Sequence, residues 1–152
     1  MKTLLTEQIA ALLEENDITA ALANVSACIA MSYDRLNWAG FYFVKGGELV
    51  LGPFQGKPAC THIPFEKGVC GACYRTKETK NVPYVLKLAD HIACDSESRS
   101  ELCVPVIVDD KVIMEIDLDS PCEERFTEKE CAEMAEVARN IASAFCKHQW
   151  SL

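Results

Sequence analysis

Apolar residues recur at helical spacing near both ends of the chain. Over residues 3–15 the apolar positions share one helical face, and a second amphipathic stretch covers about residues 18–33. The last such stretch follows Thr127, a natural N-cap residue, and Glu130 three positions later completes a capping box. The pattern therefore predicts two helices at the N-terminal end and one helix at the C-terminal end.

Between these helices the apolar period changes to two, which is typical of strands. The stretch WAGFYFVKGGELVLGPF predicts a β-hairpin, because Gly46 and Gly47 supply the positive φ angles that a tight turn needs. The stretches ELCVPVIV and KVIMEIDLDS flank Asp109 and Asp110 and predict a second hairpin. We therefore expect at least four antiparallel strands in the middle of the chain.

Long segments join the two hairpins. Residues 55–68 are predicted to form a loop, a short helix is predicted from about Gly68, and residues 80–100 are predicted to form a second loop. This order of elements predicts a single α+β domain over residues 1–152, in which an antiparallel sheet is packed by the terminal helices. Loops inserted between hairpins are suited to wall a pocket, so any binding site is expected there.

Composition and charge narrow the classes of function. The chain has 152 residues, 49% of them apolar, and a formal net charge of −8. Nucleic acids and anionic membranes both require basic surface, so neither is an expected partner. Acidic residues within the first helix argue against a signal peptide, and we expect a cytoplasmic protein. In that reducing compartment the nine cysteines are expected to be structural thiols, metal ligands or redox groups.

Two groups of cysteines stand out from the others. Cys94 lies in the polar stretch HIACDSES, which is a poor place to bury a small apolar side chain, so a chemical role is expected. Cys70 and Cys73 form a C-x-x-C motif, but the βαβ context of a thioredoxin-like redox pair is missing. Two alternatives stay open for this pair: burial on a short helix, or a zinc site completed by Cys60 and His62.

The strand before Ser120 carries alternating carboxylates. Glu115, Asp117 and Asp119 point to one face, and the pattern alone favours a solvated face of the sheet. The alternative is a carboxylate-lined pocket for a cationic group. Trp38 and Tyr42 share one face of the first hairpin, where core packing is the usual role of aromatic residues. If the two faces coincide, the site suits a zwitterionic or cationic small molecule.

Several separated motifs resemble one known family. WAGFY, LGPFQGKPAC, IPFEKGVCG, HIACDSES and DLDSP, in this order and spacing, resemble the free methionine-(R)-sulfoxide reductases, which are catalytic GAF domains. The similarity covers about residues 34–145. The resemblance implies a GAF-like central antiparallel sheet of about six strands with helices on both sides. It also implies reduction of free L-methionine-(R)-sulfoxide, with electrons from thioredoxin, no bound cofactor, and a homodimer.

The same resemblance implies roles for three cysteines. Cys94 matches the nucleophile, Cys60 matches the resolving cysteine first, and Cys70 is the alternative. Attack of the Cys94 thiolate on the electrophilic sulfur, with protonation of the sulfoxide oxygen, would leave a sulfenic acid on Cys94. A second thiol then forms a disulfide, which thioredoxin reduces by thiol–disulfide exchange.

The substrate residues implied by the resemblance are two aromatic and three acidic side chains. They are Trp38, Tyr42, Glu101, Asp117 and Asp119. Glu101 or Asp117 would protonate the sulfoxide oxygen. The remaining carboxylates would hold the α-ammonium of a free amino acid, which explains a preference for the free form over protein-bound methionine sulfoxide.

The sequence also departs from the family pattern. Glu115 stands where an apolar or small residue is usual, Cys73 replaces a small residue, and Cys103 is not a family feature. Packing within a strand is the first expectation for Cys103.

Carboxylates near Cys94 should raise its pKa if they are ionised, which leaves two explanations open. Either His91 or Arg99 offsets them, or the acid is protonated during the reaction.

One competing function is a non-catalytic GAF domain that senses an amino-acid-like ligand. Such a sensor needs the aromatic and acidic pocket residues but not three matched cysteines.

Overall fold

Six antiparallel strands form one sheet in the computed structural model, which describes residues 2–91 and 94–152. Met1 and the Ile92-Ala93 pair of the HIACDSES motif lie outside the described residues. The strands are β1 (Trp38–Lys45), β2 (Glu48–Gly56), β3 (His62–Ile63), β4 (Lys80–Val82), β5 (Ser100–Val108) and β6 (Lys111–Ser120). Their order across the sheet is β3-β2-β1-β6-β5-β4. The predicted α+β fold with a central antiparallel sheet is confirmed.

Four α-helices accompany the sheet within the described ranges. They are α1 (Leu4–Leu12), α2 (Ile18–Ser32), α3 (Gly68–Thr76) and α4 (Glu128–Lys147), and one 3₁₀ turn covers Val85–Lys87. The helices predicted from apolar periodicity at both ends, and the short helix predicted from Gly68, are all present. In the described part of the chain, no helix combines the length and the apolar composition that a membrane span needs.

Both predicted hairpin turns are confirmed. Gly46 and Gly47 have φ angles of 60° and 79°, and Asp109 and Asp110 have φ angles of 51° and 63°. Left-handed backbone at both central positions is what a two-residue hairpin turn requires. Aspartate tolerates this conformation better than most residues, so the second turn forms without glycine.

Two short edge strands were not predicted. β3 lies in a segment expected to be a loop, and β4 lies within the predicted 80–100 loop. β3 pairs with β2 over two residues, and β4 pairs with β5 over three. Strands of two or three residues are too short to show a period, so the loop prediction was wrong at these positions.

The two faces of the sheet carry separate apolar clusters. The larger cluster joins α1, α2 and α4 to one face and includes Ile9, Leu22, Phe41, Ile116 and Ile141. The smaller cluster lies on the opposite face beneath α3 and includes Trp38, Tyr42, Val69, Cys70 and Cys103. Alternation along β1 sends Trp38 and Tyr42 to one side and Phe41 to the other, as predicted.

An arginine and the helix cap fix the start of α4. Thr127 is the N-cap and forms the predicted capping box with Glu130. The buried Arg125 donates to Glu130 Oε1 at 2.8 Å and to Asp34 Oδ1 at 3.1 Å, so it ties α4 to the segment before β1. Although burial opposes ionisation of Glu130, hydrogen bonds from Thr127 and Arg125 outweigh it and lower the pKa of this carboxyl to about 2.

We predict that Glu130→Gln lowers the free energy of unfolding by about 2 kcal/mol at pH 7. A folded-state pKa below the ordinary value means that ionised Glu130 stabilises the fold above about pH 4.5, and this contribution is lost as pH falls toward 2. Urea denaturation at pH 7, 5 and 3.5 measures the free energy of unfolding. The difference in this free energy between wild type and Glu130→Gln should narrow by about 1 kcal/mol between pH 5 and pH 3.5. Glu128→Gln, in the same helical turn but exposed, is the control. A constant difference at all three pH values would contradict the assignment.

Candidate active site

The alternating carboxyl groups of β6 point into the protein. Glu115 and Asp117 are 0% and 4% exposed, and Asp119 is half-buried. The expectation of a solvated face was wrong, because α3 packs across β5 and β6 on this side. The competing prediction, a carboxylate-lined pocket, describes the structure.

Strand register brings the predicted substrate residues into one row. Asp119 on β6 lies opposite Trp38 on β1 and opposite Glu101 on β5. In the next inward-facing row, Asp117 lies between Gly40 and Cys103. Because residues paired across strands stand side by side on one face, the aromatic and acidic faces coincide as the sequence suggested.

A stack of aromatic rings forms one wall of the site. The Trp38 ring is stacked 5.8 Å from Tyr42 and 5.1 Å from Phe54, measured between ring centroids. The Tyr42 hydroxyl donates to the backbone oxygen of Cys60 at 2.8 Å. Gly56 lies beside the wall at φ 140°, and a Cβ there would come within 2.6 Å of Trp38 Cδ1. A larger residue at this position would therefore displace the indole ring.

A disulfide between Cys60 and Cys94 lies at this site. The two Cα atoms are 5.5 Å apart, and the residues come from two different loops, one after β2 and one before β5. Both cysteines are half-buried. Lys57 and Glu97 form an exposed ion pair of 3.2 Å between the same two loops, which contributes little to stability.

The zinc set of Cys60, His62, Cys70 and Cys73, which was the less favoured alternative to burial on a short helix, is not assembled. Cys60 is bonded to Cys94, and the exposed His62 ring contacts Glu48 at the edge of the sheet. The two cysteines of the C-x-x-C motif are instead buried on α3. That set was wrong because sequence spacing does not reveal that β3 turns His62 toward solvent.

The loop that carries Cys94 is fixed by Asn37, a residue that the sequence analysis missed. Its side-chain amide donates to Asp95 Oδ2 at 2.9 Å and to Ser98 Oγ at 3.0 Å. The backbone N–H of Glu97 and this amide lower the pKa of Asp95. The sequence did offer one indication that Asn37 belongs to the site, which is its position directly before the WAGFY motif.

The two residues expected to offset the acids around Cys94 differ in their charge state and contacts. Burial lowers the pKa of His91, so its ring is neutral at pH 7. Arg99 Nη1 donates to the backbone oxygens of Ser96 and Ser98 at 2.7 and 3.0 Å. Lys57 pairs with Glu97 at 3.2 Å, and after the hydrogen bonds from Glu97 and Asn37 its charge also lowers the pKa of Asp95, so a cation does act on the acids of this loop.

Burial raises the pKa of the carboxyl groups in the cavity. Burial, followed by repulsion from Asp117 and Asp119, raises the pKa of Glu101 well above its usual value. Burial and the charge of Asp117 do the same for Asp119, and burial raises the pKa of Asp117. A low dielectric environment cannot hold adjacent like charges, so at least one of these groups carries a proton near pH 7.

Two buried polar atoms in the site have no hydrogen-bond partner among the described residues. They are the indole Nε1 of Trp38 and the Oδ1 of Asp117. Buried donors and acceptors are nearly always paired in native proteins. A ligand that both accepts and donates hydrogen bonds would therefore satisfy this site.

Cys70 lies deeper than the disulfide. Its Sγ is 3.8 Å from Glu101 Oε2 and 3.8 Å from Cys103 Sγ. A hydrogen bond from Cys103 favours the thiolate, yet burial and the charges of Asp117 and Glu115 outweigh it and hold the pKa of Cys70 well above its usual value. Cys70 is therefore a poor nucleophile in this state.

One cavity collects most of the predicted site residues. Its empty space measures about 530 Å³ out to its open mouth. Seven of the eight predicted residues line it, namely Trp38, Tyr42, Cys70, Cys94, Glu101, Asp117 and Asp119. The eighth, Cys60, is bonded to Cys94. The arrangement joins a thiol–disulfide pair to a polar floor and an aromatic wall.

Comparison with known proteins gives consistent matches. The family model of the GAF domain matches residues 9–145. Protein YtsP of Bacillus subtilis is 43% identical over 147 residues, covering 95% of this chain and 90% of that protein. The free methionine-R-sulfoxide reductase of Escherichia coli is 41% identical over 116 residues, covering 76% of this chain and 70% of that protein.

A solved structure also matches over almost the whole chain. It is the X-ray structure of free methionine-R-sulfoxide reductase from Neisseria meningitidis in complex with its substrate. The TM-score is 0.92 at 38% sequence identity, with 95% of this chain and 88% of that chain covered. This chain is therefore similar to that reductase in both fold and sequence.

Proposed function

The chain belongs to the free methionine-(R)-sulfoxide reductase family of GAF domains, and on this premise we propose that it reduces free L-methionine-(R)-sulfoxide to L-methionine. The observation that carries the proposal is the Cys60–Cys94 disulfide at the cavity that contains the aromatic wall and the carboxyl groups. A disulfide at this position is the product that such a reaction would leave on the protein.

Cys94 is the proposed nucleophile. Its thiolate attacks the sulfoxide sulfur while neutral Glu101 gives a proton to the sulfoxide oxygen. The oxygen passes to Cys94 as a sulfenic acid, methionine leaves, and the substrate sulfur gains the two electrons that Cys94 loses. The Cys60 thiol then attacks the sulfenic sulfur, which forms the disulfide and releases water.

Recognition of the free amino acid is proposed to rest on the acidic floor and the aromatic wall. Asp117 and Asp119 face the cavity and suit an α-ammonium, which would return them to the ionised state. Trp38 and Tyr42 suit the methyl and methylene groups on either side of the sulfoxide. A methionine sulfoxide within a peptide has no ammonium at this position, so it leaves the carboxylates unpaired.

Thioredoxin is the proposed reductant. Both cysteines of the disulfide are half-buried, so a dithiol protein can reach the sulfur atoms. The resulting exchange returns Cys60 and Cys94 to thiols and oxidises the thioredoxin pair. No further cofactor enters this scheme.

A homodimer is proposed as the assembled form. Leu4 and Met31 are 72% and 81% exposed on α1 and α2, where a partner subunit would cover them. We predict that light scattering gives the mass of two chains, and that Met31→Glu shifts the protein toward the mass of one. A wild-type protein with the mass of one chain at all concentrations would exclude the dimer.

We predict thioredoxin-coupled NADPH oxidation with free L-methionine-(R)-sulfoxide but not with the (S) epimer or a peptide-bound sulfoxide. Cys94→Ser should abolish turnover while circular dichroism shows an intact fold. Cys131→Ser, a half-buried cysteine on α4, is the control and should retain activity. Turnover by Cys94→Ser would remove the assignment of the nucleophile. Methionine binding by wild type without any turnover would instead favour the sensor function.

Two substitutions separate acid catalysis from ammonium recognition. Glu101→Gln removes the proposed proton donor and should lower kcat by roughly 10²- to 10⁴-fold with a smaller change in KM. Asp119→Asn removes a partner of the ammonium and should mainly raise KM. Steady-state kinetics with the free (R)-sulfoxide measures both, and exposed Glu123→Gln is the control. Equal effects of the two substitutions on kcat and KM would contradict the division of roles.

A further inference from the structure

Three thiols and one carboxyl group converge beneath the floor of the cavity. Cys70 and Cys73 come from α3, Cys103 from β5, and Glu115 from β6. Cys103 Sγ lies 3.8 Å from Cys70 Sγ and 3.2 Å from Glu115 Oε1. Cys73 Sγ lies 3.7 Å from the backbone oxygen of Cys103. All four side chains are buried, and three of them play no part in the proposed reaction.

The distances match those around a tetrahedral soft cation. Two sulfurs bound to zinc at about 2.3 Å stand about 3.8 Å apart, which is the separation of Cys70 and Cys103. A sulfur and a carboxylate oxygen on the same ion stand about 3.5 Å apart, close to the 3.2 Å between Cys103 and Glu115. The ligand atoms of these three residues all lie within 4.8 Å of one another.

Glu115 provides an independent indication of a ligand. Its side chain is 0% exposed, and its Oε2 has no hydrogen-bond partner among the described residues. An unpaired carboxyl oxygen in an apolar interior costs free energy unless a cation or a donor meets it. Glu115, Cys73 and Cys103 are three of the departures from the family motifs, and the fold brings these three to one place; a fourth, Cys28, lies in the cluster on the opposite face of the sheet.

We propose that Cys70, Cys103 and Glu115 form a buried binding site for one Zn²⁺ ion, with Cys73 as the fourth ligand. The C-x-x-C spacing on α3 puts both of its sulfurs on one helical face, so a side-chain rotation of Cys73 brings the fourth ligand to the ion. The donor set of three thiolates and one carboxylate suits zinc. This ligand set differs from the one considered from sequence spacing. Cys103 and Glu115, which the fold places beside Cys70, take the positions that spacing had suggested for Cys60 and His62.

The site has a consequence for the cysteines of the cavity. An ion that binds Cys70 holds its sulfur as a ligand, which leaves Cys60 as the thiol that resolves Cys94. Zinc that binds only the folded state also raises the thermal stability of the protein. Neither effect requires that the proposed reductase reaction take place, so the two proposals fail independently.

The test uses the full-length protein with its Cys60–Cys94 disulfide intact, handled without oxygen or added thiols. Mass spectrometry first verifies the seven remaining free thiols. Titration with Co²⁺ should produce a thiolate-to-cobalt charge-transfer band and the visible bands of tetrahedral cobalt, saturating at one ion per chain. Zn²⁺ should then displace the cobalt stoichiometrically and raise the melting temperature.

Variants assign the ligands. Cys103→Ser should weaken metal affinity by roughly 100-fold or more, which exceeds the loss typical of a residue that only supports a ligand. Cys73→Ser and Glu115→Gln should each weaken it by at least about tenfold. Cys131→Ser, in a half-buried cysteine on α4, is the matched control and should bind as wild type does.

Three results would overturn the proposal. The first is the lack of a charge-transfer band in a wild-type protein with seven free thiols. The second is equal Co²⁺ affinity in wild type and Cys103→Ser, with circular dichroism showing that both are folded. The third is wild-type Co²⁺ affinity in Cys70→Ser, because Cys70 is one of the three residues whose ligand atoms lie together.

Discussion

The burial of several carboxyl groups on one face of the sheet constrains the rest of this structure. Asp117, Glu101 and Glu115 cannot all be ionised at such close range in a medium of low dielectric constant. The fold therefore keeps a proton on at least one of them. A neutral carboxyl group can donate a proton, and an ionised neighbour can hold a cation, so a single row of acids can serve two chemical purposes.

Much of the fold could be predicted from local patterns. The helices at the two ends follow from apolar periodicity and from the Thr127 cap, and the hairpins follow from Gly46-Gly47 and Asp109-Asp110. These features depend on residues close together in the sequence. The edge strands β3 and β4 depend instead on hydrogen bonds to distant strands, so nothing in their own few residues could indicate them.

The candidate site residues that lie in recognisable sequence motifs could be predicted. Features of the site that depend only on tertiary packing could not. Motif resemblance identified Trp38, Tyr42 and the acids, and strand alternation placed Asp117 and Asp119 on one face. Alternation could not tell a buried face from a solvated one, because that depends on where α3 packs. For the same reason, the proximity of Cys103 to Glu115 became visible only when β5 and β6 were paired.

The hydrogen bond from Tyr42 to the backbone of Cys60 joins the aromatic wall to the loop that carries one end of the disulfide. A side chain of the aromatic wall is thereby connected to a residue of the disulfide. By thermodynamic reciprocity, any ligand whose affinity differs between the disulfide and dithiol states shifts the thiol–disulfide equilibrium, and the redox state shifts its affinity by the same factor. Ligand binding in the cavity and the oxidation state of Cys60 and Cys94 are then thermodynamically linked.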